Sequence, residues 1–307
     1  MTATSSPVVV IGIAGMDIRG RTRDTLVPAT SNPGSVRLAV GGVGRNIAEN
    51  LARLDVPVTL LTAVGNDPFG KQVVVQTSAA GVDLSHVLRT SSHPTATYVA
   101  IVDTDGSLAA GVDDMGISAA ITPDYISAHR DLIRQASLLV LDGNLHPPAI
   151  QRAFALAKRY HVPVCVDPTS VVLAARFKSY LDRCAILAPN LTEAEVLCGC
   201  HIYNLADTAQ AAQHMVAAGV QIALITMGAG GVIYATPEVS GHISAVRCPV
   251  VDSTGAGDAL TAGVVFGVLN GLPVDEAVRL GVSAATLTIC SLDTVSRELS
   301  VDALYRE

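Results

Sequence analysis

The residues with the clearest chemical potential lie near the C-terminal end, in VVDSTGAGDALTAGVVFGVL, Val250 to Leu269. A short apolar strand is predicted to lead into Asp252. Gly255-Ala256-Gly257-Asp258 and an apolar helix follow. A turn of small residues at a helix start leaves backbone N–H groups without partners, pointed at one spot where the helix dipole is positive. Such a corner suits an anion, phosphate above all. Glycine allows the close approach. Asp258 reads in two ways. It complements the dipole, as acidic residues in first turns do, or it is a carboxylate beside a phosphate nest, placed to take a proton from an attacking hydroxyl.

A second glycine-rich turn, GGVGRNIAENLARL, runs from Gly41 to Leu54. Gly42 and Gly44 fit a dinucleotide fingerprint, but Ile47 fills the third glycine position and no clean strand precedes the turn, which argues against a Rossmann site. Two adjacent glycines, Gly41 and Gly42, suggest instead a close backbone approach to a ligand. Asn46 in the first turn can bond sugar hydroxyls or simply cap the helix. GNDPFGKQ, Gly65 to Gln72, has P-loop spacing, but Gln72 stands where Ser or Thr must hold Mg²⁺, and Asp67 and Pro68 suit a phosphate cradle badly. It reads as a strand-to-helix turn. In APNLTEAE, Asn190 and Glu193 sit three apart after a strand end, where a parallel sheet builds its ligand crevice. The pair can hold Mg²⁺ through water, or cap a helix. ITMGAGGVIY, Ile225 to Tyr234, places Thr226 and Gly228 at a strand–turn–strand that contacts nucleotide phosphates or is a plain hairpin. No GxSxG elbow and no HExxH is present.

These residues need elements to position them. The chain has 307 residues, of which half are apolar and 15% charged, with 26 Gly and a net charge of −7. That apolar share excludes a disordered chain. The acidic balance, with no basic run, leaves no footprint for nucleic acid. The composition suits an α/β fold whose strands are buried on both faces. The N-terminus lacks a charged segment before its apolar run, so no signal peptide is expected. Met215 to Pro237 carries no Asp, Glu, Lys or Arg. Its Gly, Gln and Pro divide it into helix end, strand, turn and strand, so no membrane span is expected. The six Cys form no CxxC pair, and Cys198, Cys200 and His201 have no second ligand pair at zinc spacing. Reduced thiols in a cytoplasmic protein are expected.

A strand over Val8 to Ile13 opens the chain. Residues 17–40 have no helical period, and SNPG at Ser31 to Gly34 signals a turn. Residues 95–117 read as a hairpin with Asp105-Gly106 at its turn. These two stretches, 17–40 and 95–117, are predicted to form a small β lid. Residues 1–16, 41–94 and 118–307 form the α/β core. There, strands at Val56 to Val64, Leu138 to Leu141, Val164 to Val166, Ile186 to Ala188, Ile222 to Thr226 and Val232 to Tyr234 alternate with helices near 123–135, 147–160, 192–198, 206–218, 257–270 and 274–291. That alternation argues for a mostly parallel sheet covered on both faces.

With GGVGRN near the start and DSTGAGD near the end, the chain resembles the ribokinase-like, or PfkB, carbohydrate kinases. The likeness extends in order through Asp17 in GMDIRG, AVGNDPFG, the VDP at Val166 to Pro168, the NLTE at Asn190 and the TMGAGG glycines. Within that family, SNPG, GGVGRNIAENLARL, DDMGIS at Asp113 to Ser118 and DPTS at Asp167 to Ser170 are most similar to the branch that phosphorylates pseudouridine.

The resemblance implies a ribokinase-like fold and transfer of the ATP γ-phosphate to a 5′-hydroxyl, with Asp258 as base. It gives the Gly255, Ala256 and Gly257 N–H groups the role of anion hole. Asp17, Gly41, Gly42 and Asn46 would bind the ribose; Ser31, Asn32 and Asp114 on the lid would complete the acceptor site. Asn190 and Glu193 would organise Mg²⁺–ATP, with Thr226, Gly228 and Gly231 along the nucleotide. Asp252 and Thr254 resemble half of a monovalent-cation loop, which leaves potassium dependence open. A homodimer through the lid is also implied. Other acceptors of the same family, such as ribose or adenosine, and a sugar-binding regulator without turnover are the competing readings. The intact Asp258 and glycine corner weigh against the latter. An NAD-linked oxidoreductase is disfavoured by Ile47.

Overall fold

The computed structural model describes residues 6–104 and 107–306; the turn expected at Asp105-Gly106 lies outside the described residues. The strands, in chain order, are β1 (Val8–Ile11), β2 (Gly15–Thr22), β3 (Gly34–Gly41), β4 (Val58–Leu61), β5 (Ala63–Gly65), β6 (Leu88–Thr90), β7 (Ala96–Val102), β8 (Leu108–Asp114), β9 (Leu138–Asp142), β10 (Val164–Asp167), β11 (Ile186–Leu187), β12 (Ile222–Thr226), β13 (Val232–Ala235) and β14 (Ser240–Ile243). The α-helices are α1 (Val43–Arg53), α2 (Pro68–Ala79), α3 (Pro123–Ala128), α4 (Arg130–Gln135), α5 (Pro147–Tyr160), α6 (Val171–Ala174), α7 (Leu191–Cys198), α8 (Leu205–Ala217), α9 (Ala256–Leu269), α10 (Val274–Ile289) and α11 (Val301–Leu304).

The main sheet has eight strands in the order β14-β13-β12-β11-β10-β9-β1-β4. It is parallel from β4 to β12, and β13 and β14 add on antiparallel. β1 lies between β4 and β9 and shows why the strand segments read as unbroken apolar runs. Val8 and Val10 pack into the core on one face, Val9 and Ile11 into the core on the other, and all four are fully buried. α9 is apolar all round because it is enclosed. Gly263 and Gly267 let α10 approach, against the backbones of Gly281 and Ala277, and α1 packs on another side.

A separate four-stranded sheet, β3-β2-β7-β8, is formed by residues 15–41 and 96–114. Asp17 pairs with Ala39 and Tyr98, and Tyr98 with Asp113, so these four share one row and one face. Ile18, Leu38, Val99 and Val112 form the next row, on the opposite face.

Several expected elements differ. The helix expected over 123–135 is two, because the backbone leaves helical geometry at His129. The His129 ring nitrogen lies 2.8 Å from the Tyr125 carbonyl that a continuous helix would bond through its backbone. The strand expected over Val56 to Val64 divides at Thr62, with β4 in the main sheet and β5 pairing with β6. α2 begins inside the expected strand-to-helix turn, since Asp67 caps it and Pro68 occupies its first position. No strand forms at Val250. The chain there pairs with no sheet and Val250 is exposed, so the glycine corner follows a loop whose Val251 N–H bonds Ile289 O at 2.8 Å.

Candidate active site

α9 begins at the C-terminal ends of the parallel strands with Gly255 as its N-cap, in a left-handed conformation (φ 83°). A side chain at Gly255 would also collide with the carbonyl of Thr294. Gly257 is different. A Cβ there would meet nothing within 4 Å, so its bareness leaves open space rather than relieving a clash. The first main-chain helical bond runs from the Ala259 N–H to Gly255 O at 2.9 Å. The Ala256 N–H lies 3.3 Å from Ser253 O. The amides of Gly257 and Asp258 thus sit at the open, positive end of the helix.

Ala256 and Gly257 line a cavity of about 460 Å³ whose other walls include Thr226, Gly228 and Gly231. Thr226 ends β12, and its N–H bonds Pro189 O at 3.0 Å, beside Asn190. The cavity's far wall is apolar, with Val246, Val250, Val282 and Ile289 among its residues. A planar base fits an apolar slot whose glycine-lined end presents backbone N–H groups for phosphates.

Asp258 faces the other way. It is 8% exposed, and its Oδ2 accepts a hydrogen bond from Asn46 Nδ2 at 2.7 Å. Burial, with the charges of Asp142 and Asp17 nearby, pushes its pKa up to about 7, against the Asn46 bond and Arg45, which pull it down. Asp17, on β2, is also raised, to about 6, by burial, with Arg45 and Arg19 opposing. Gly41 is bare because a Cβ there would run into the Asp17 carboxylate. Gly42 (φ 96°) is the N-cap of α1, crowded by Ile13 O. The glycine pair thus admits a carboxylate and a sharp turn.

Asn190 and Glu193 form a reciprocal capping box at the start of α7. The Glu193 N–H donates to Asn190 Oδ1 at 3.0 Å, and the Asn190 N–H to Glu193 Oε2 at 3.0 Å. The box holds the buried Glu193 carboxylate beside Asp167, whose pKa is raised well above the ordinary range by burial and by the charges of Asp258, Glu193 and Asp142. The sequence reading left Asp142 and Asp167 out of the site, yet both end central strands, where α/β sheets place their ligands. Asp142 accepts bonds from the N–H groups of Ile13 (2.8 Å) and Gly44 (3.2 Å) and from the Thr169 hydroxyl (3.0 Å), tying the site's loops together.

Among the described residues no group of three or more His, Cys, Asp or Glu could hold a metal ion. The clustered carboxylates nonetheless suit a hydrated Mg²⁺ carried by phosphates, since the donors are hard oxygens and their charges repel. The potassium loop is less well matched. Asp252 forms an ion pair with Arg19 of β2, and its Oδ1 accepts the Thr254 N–H at 2.8 Å. A guanidinium thus already neutralises the carboxylate that a monovalent cation would need.

The remaining lid residues lie apart. Ser31 and Asn32 sit in the loop at the far end of the eight-residue β2–β3 ladder from Gly15 and Gly41. Asn32 spends its side chain on that loop, bonding the N–H (2.8 Å) and the carbonyl (2.9 Å) of Val27. The structure does not bring them to Asp258. Asp114 pairs with Thr97, one row off Asp17, and its Oδ1 accepts the Gly116 N–H at 3.2 Å. Asp113 and Tyr98 share the row of Asp17 instead. Only the strand register reveals this, and the sequence carried no signal for it.

The sequence pattern of the pfkB family carbohydrate kinases matches residues 5–299. The chain is 35% identical to the pseudouridine kinase of Escherichia coli (strain K12) over 96% of its own length and 94% of that protein's. It is 34% identical to the uncharacterized sugar kinase YeiI of the same organism, over 96% of this chain and 81% of the other. The solved carbohydrate kinase from Agrobacterium tumefaciens superposes with a TM-score of 0.84 at 29% identity, covering 98% of this chain and 96% of that one. The chain belongs to the pfkB family of carbohydrate kinases.

Proposed function

We propose that this protein transfers the γ-phosphate of ATP to the 5′-hydroxyl of a ribosyl nucleoside, with pseudouridine as its acceptor. One observation carries the reading. The Gly255–Gly257 corner has an apolar, glycine-edged cavity on one side and the Asp258 carboxylate, next to Asp17, on the other. A phosphate crossing that corner travels from a nucleotide to a hydroxyl. The likeness to the Escherichia coli pseudouridine kinase over nearly the whole chain supports the acceptor.

In this account Asp258 takes the hydroxyl proton as the oxygen attacks. Its raised pKa places it near the operating pH, where a base works best. The N–H groups of Gly257 and its neighbours stabilise charge on the transferred group. Asp17 and the Gly41–Gly42 turn orient the ribose. Thr226, Gly228 and Gly231 hold the nucleotide. Mg²⁺, when bound, neutralises the polyphosphate, and Asn190 and Glu193 would hold its waters. The four-stranded sheet acts as a lid that excludes water, and Arg19 on Asp252 ties it to the anion corner.

The lid's outer face supports a second copy of this chain as partner. Val36, Leu38 and Val112 are 68%, 53% and 68% exposed there, beside Ile18 and Val99. Contiguous apolar surface of this kind marks an interaction site. Six cysteines, none in a disulfide among the described residues, suit a reducing, cytoplasmic setting, and no helix among the described residues is long and apolar enough to cross a membrane.

Release of ADP, measured with pseudouridine, ribose, adenosine, guanosine and inosine as acceptors, tests the reading. The highest kcat/KM is expected for pseudouridine. Preference for free ribose would move the protein to the sugar kinases, in line with its likeness to YeiI. Sugar binding without ADP release would make it a regulator.

A further inference from the structure

We infer that Arg45 is a positioning residue, which turns the Asn46 amide toward Asp258 and delivers a buried positive charge to that carboxylate. This rests on the reading that Asp258 accepts the acceptor's proton.

Arg45 has no surface role. It is 5% exposed, and its guanidinium is used up inside the protein. One nitrogen pairs with Glu49. The other terminal nitrogen donates to Val40 O and to Asn46 Oδ1, both at 3.0 Å, and Nε reaches Thr77 Oγ1 at 3.3 Å. Glu49 is shared with Arg53, at 2.8 Å, so the network holds two guanidinium groups and one carboxylate. The Thr294 hydroxyl closes the arrangement, 2.8 Å from Val40 O and 3.3 Å from Asn46 Oδ1.

An amide side chain has a donor end and an acceptor end. Here the acceptor end of Asn46 is held by Arg45 and Thr294, so the donor end must meet Asp258, as it does at 2.7 Å. Released from Arg45, the amide could turn and set its oxygen against the carboxylate. Bonds in such chains also polarise one another. The groups facing Asp258 show why this matters. Asp17 comes from β2, Asp142 from β9 and Asp167 from β10, with Arg45 from α1 opposing them. Arg45 therefore opposes, through Asn46, the push toward protonation that burial and the acidic neighbours exert on Asp258.

The test is the pH dependence of acceptor kcat/KM for the full-length Arg45→Met, Arg45→Lys and Thr294→Val proteins, alongside Asn46→Ala and the Arg45→Met/Asn46→Ala pair. Removing positive charge raises the pKa of a base that must be ionised, so the acid limb moves to higher pH. Arg45→Met is expected to move it by about one unit, a tenfold loss on the acid side, with a much smaller loss on the alkaline plateau. Arg45→Lys should restore part of the shift, and the double variant should move the limb no further than Asn46→Ala. Melting curves identify any variant that fails to fold; Arg45→Lys and Thr294→Val then carry the comparison, with a shift in the same direction expected from each. A loss of equal size at every pH, or additive shifts in the double variant, would overturn the inference. Asp258→Asn separates the two ideas. If it retains turnover, the base itself is misassigned; if it is inactive while the limb stays fixed in the Arg45 variants, only the positioning role falls.

Discussion

Replacing Asp258 by Asn removes a proton acceptor while keeping shape. The new amide oxygen can still accept the bond that Asn46 Nδ2 makes to Asp258 at 2.7 Å. Folding and acceptor placement are therefore retained, and the change falls on the chemical step. A positioned general base contributes about 10²–10⁴ in rate, or roughly 3–5 kcal/mol of barrier, so kcat is expected to drop at least about a hundredfold. The KM for ATP should change little, because the donor cavity lies on the far side of the Gly255–Gly257 corner. Stability should move the opposite way. The folded state raises the Asp258 pKa from 3.8 to about 7, so it binds that proton more tightly than the unfolded chain does. Ionisation then destabilises the fold progressively as pH rises between those values, by about 1.4 kcal/mol for each unit of difference. The neutral Asn escapes this. The variant should melt several degrees above the wild type at pH 8, with the difference shrinking toward pH 4. A coupled assay of ADP release and calorimetry at four or five pH values read both effects. Near-normal turnover in Asp258→Asn would refute the base, and a melting difference independent of pH would refute the electrostatic account.

The two glycines of the anion corner should respond differently to alanine. Gly255→Ala forces a side chain into a left-handed backbone against Thr294 O, which should lower stability by about 1–3 kcal/mol or more in denaturant titrations. Gly257→Ala points into open space, so its melting curve should match the wild type while ATP affinity and kcat fall. Arg19→Gln breaks a partly exposed ion pair between lid and corner. With such pairs worth about 0.2–1 kcal/mol, acceptor kcat/KM should fall less than about tenfold, and a larger fall would give Arg19 a direct role in catalysis. Val112→Asp on the outer lid face should convert a dimer to a monomer in analytical ultracentrifugation; an unchanged sedimentation coefficient would place the interface elsewhere.

Much of the architecture was legible because the physics is local. The helix over 147–160 and the strand over Ile222 to Thr226 occupy the residues their patterns predicted. The corner at Gly255 was readable because a small-residue turn before an apolar helix has few alternatives. What escaped required tertiary information. Asp142 and Asp167 looked like ordinary strand ends until the parallel register put them beside Asp258 and Glu193. The bond between Asn46 and Asp258 spans 212 residues, so no spacing rule could reveal that the Asn46 amide donates to that carboxylate. The burial of Arg45 follows only from tertiary contacts of α1, with Thr77 of α2 and with Thr294. Val250, apolar enough for a strand, instead walls the cavity beside Gly257.

The most direct measurement is a crystal structure of the enzyme with pseudouridine and a non-hydrolysable ATP analogue with Mg²⁺. The ribose 5′-oxygen should lie within about 2.6–3.2 Å of an Asp258 carboxylate oxygen, with the terminal phosphate against the Gly257 N–H. An acceptor bound with its 5′-oxygen beyond hydrogen-bonding reach of Asp258, or a phosphate seated away from the glycine corner, would contradict the account.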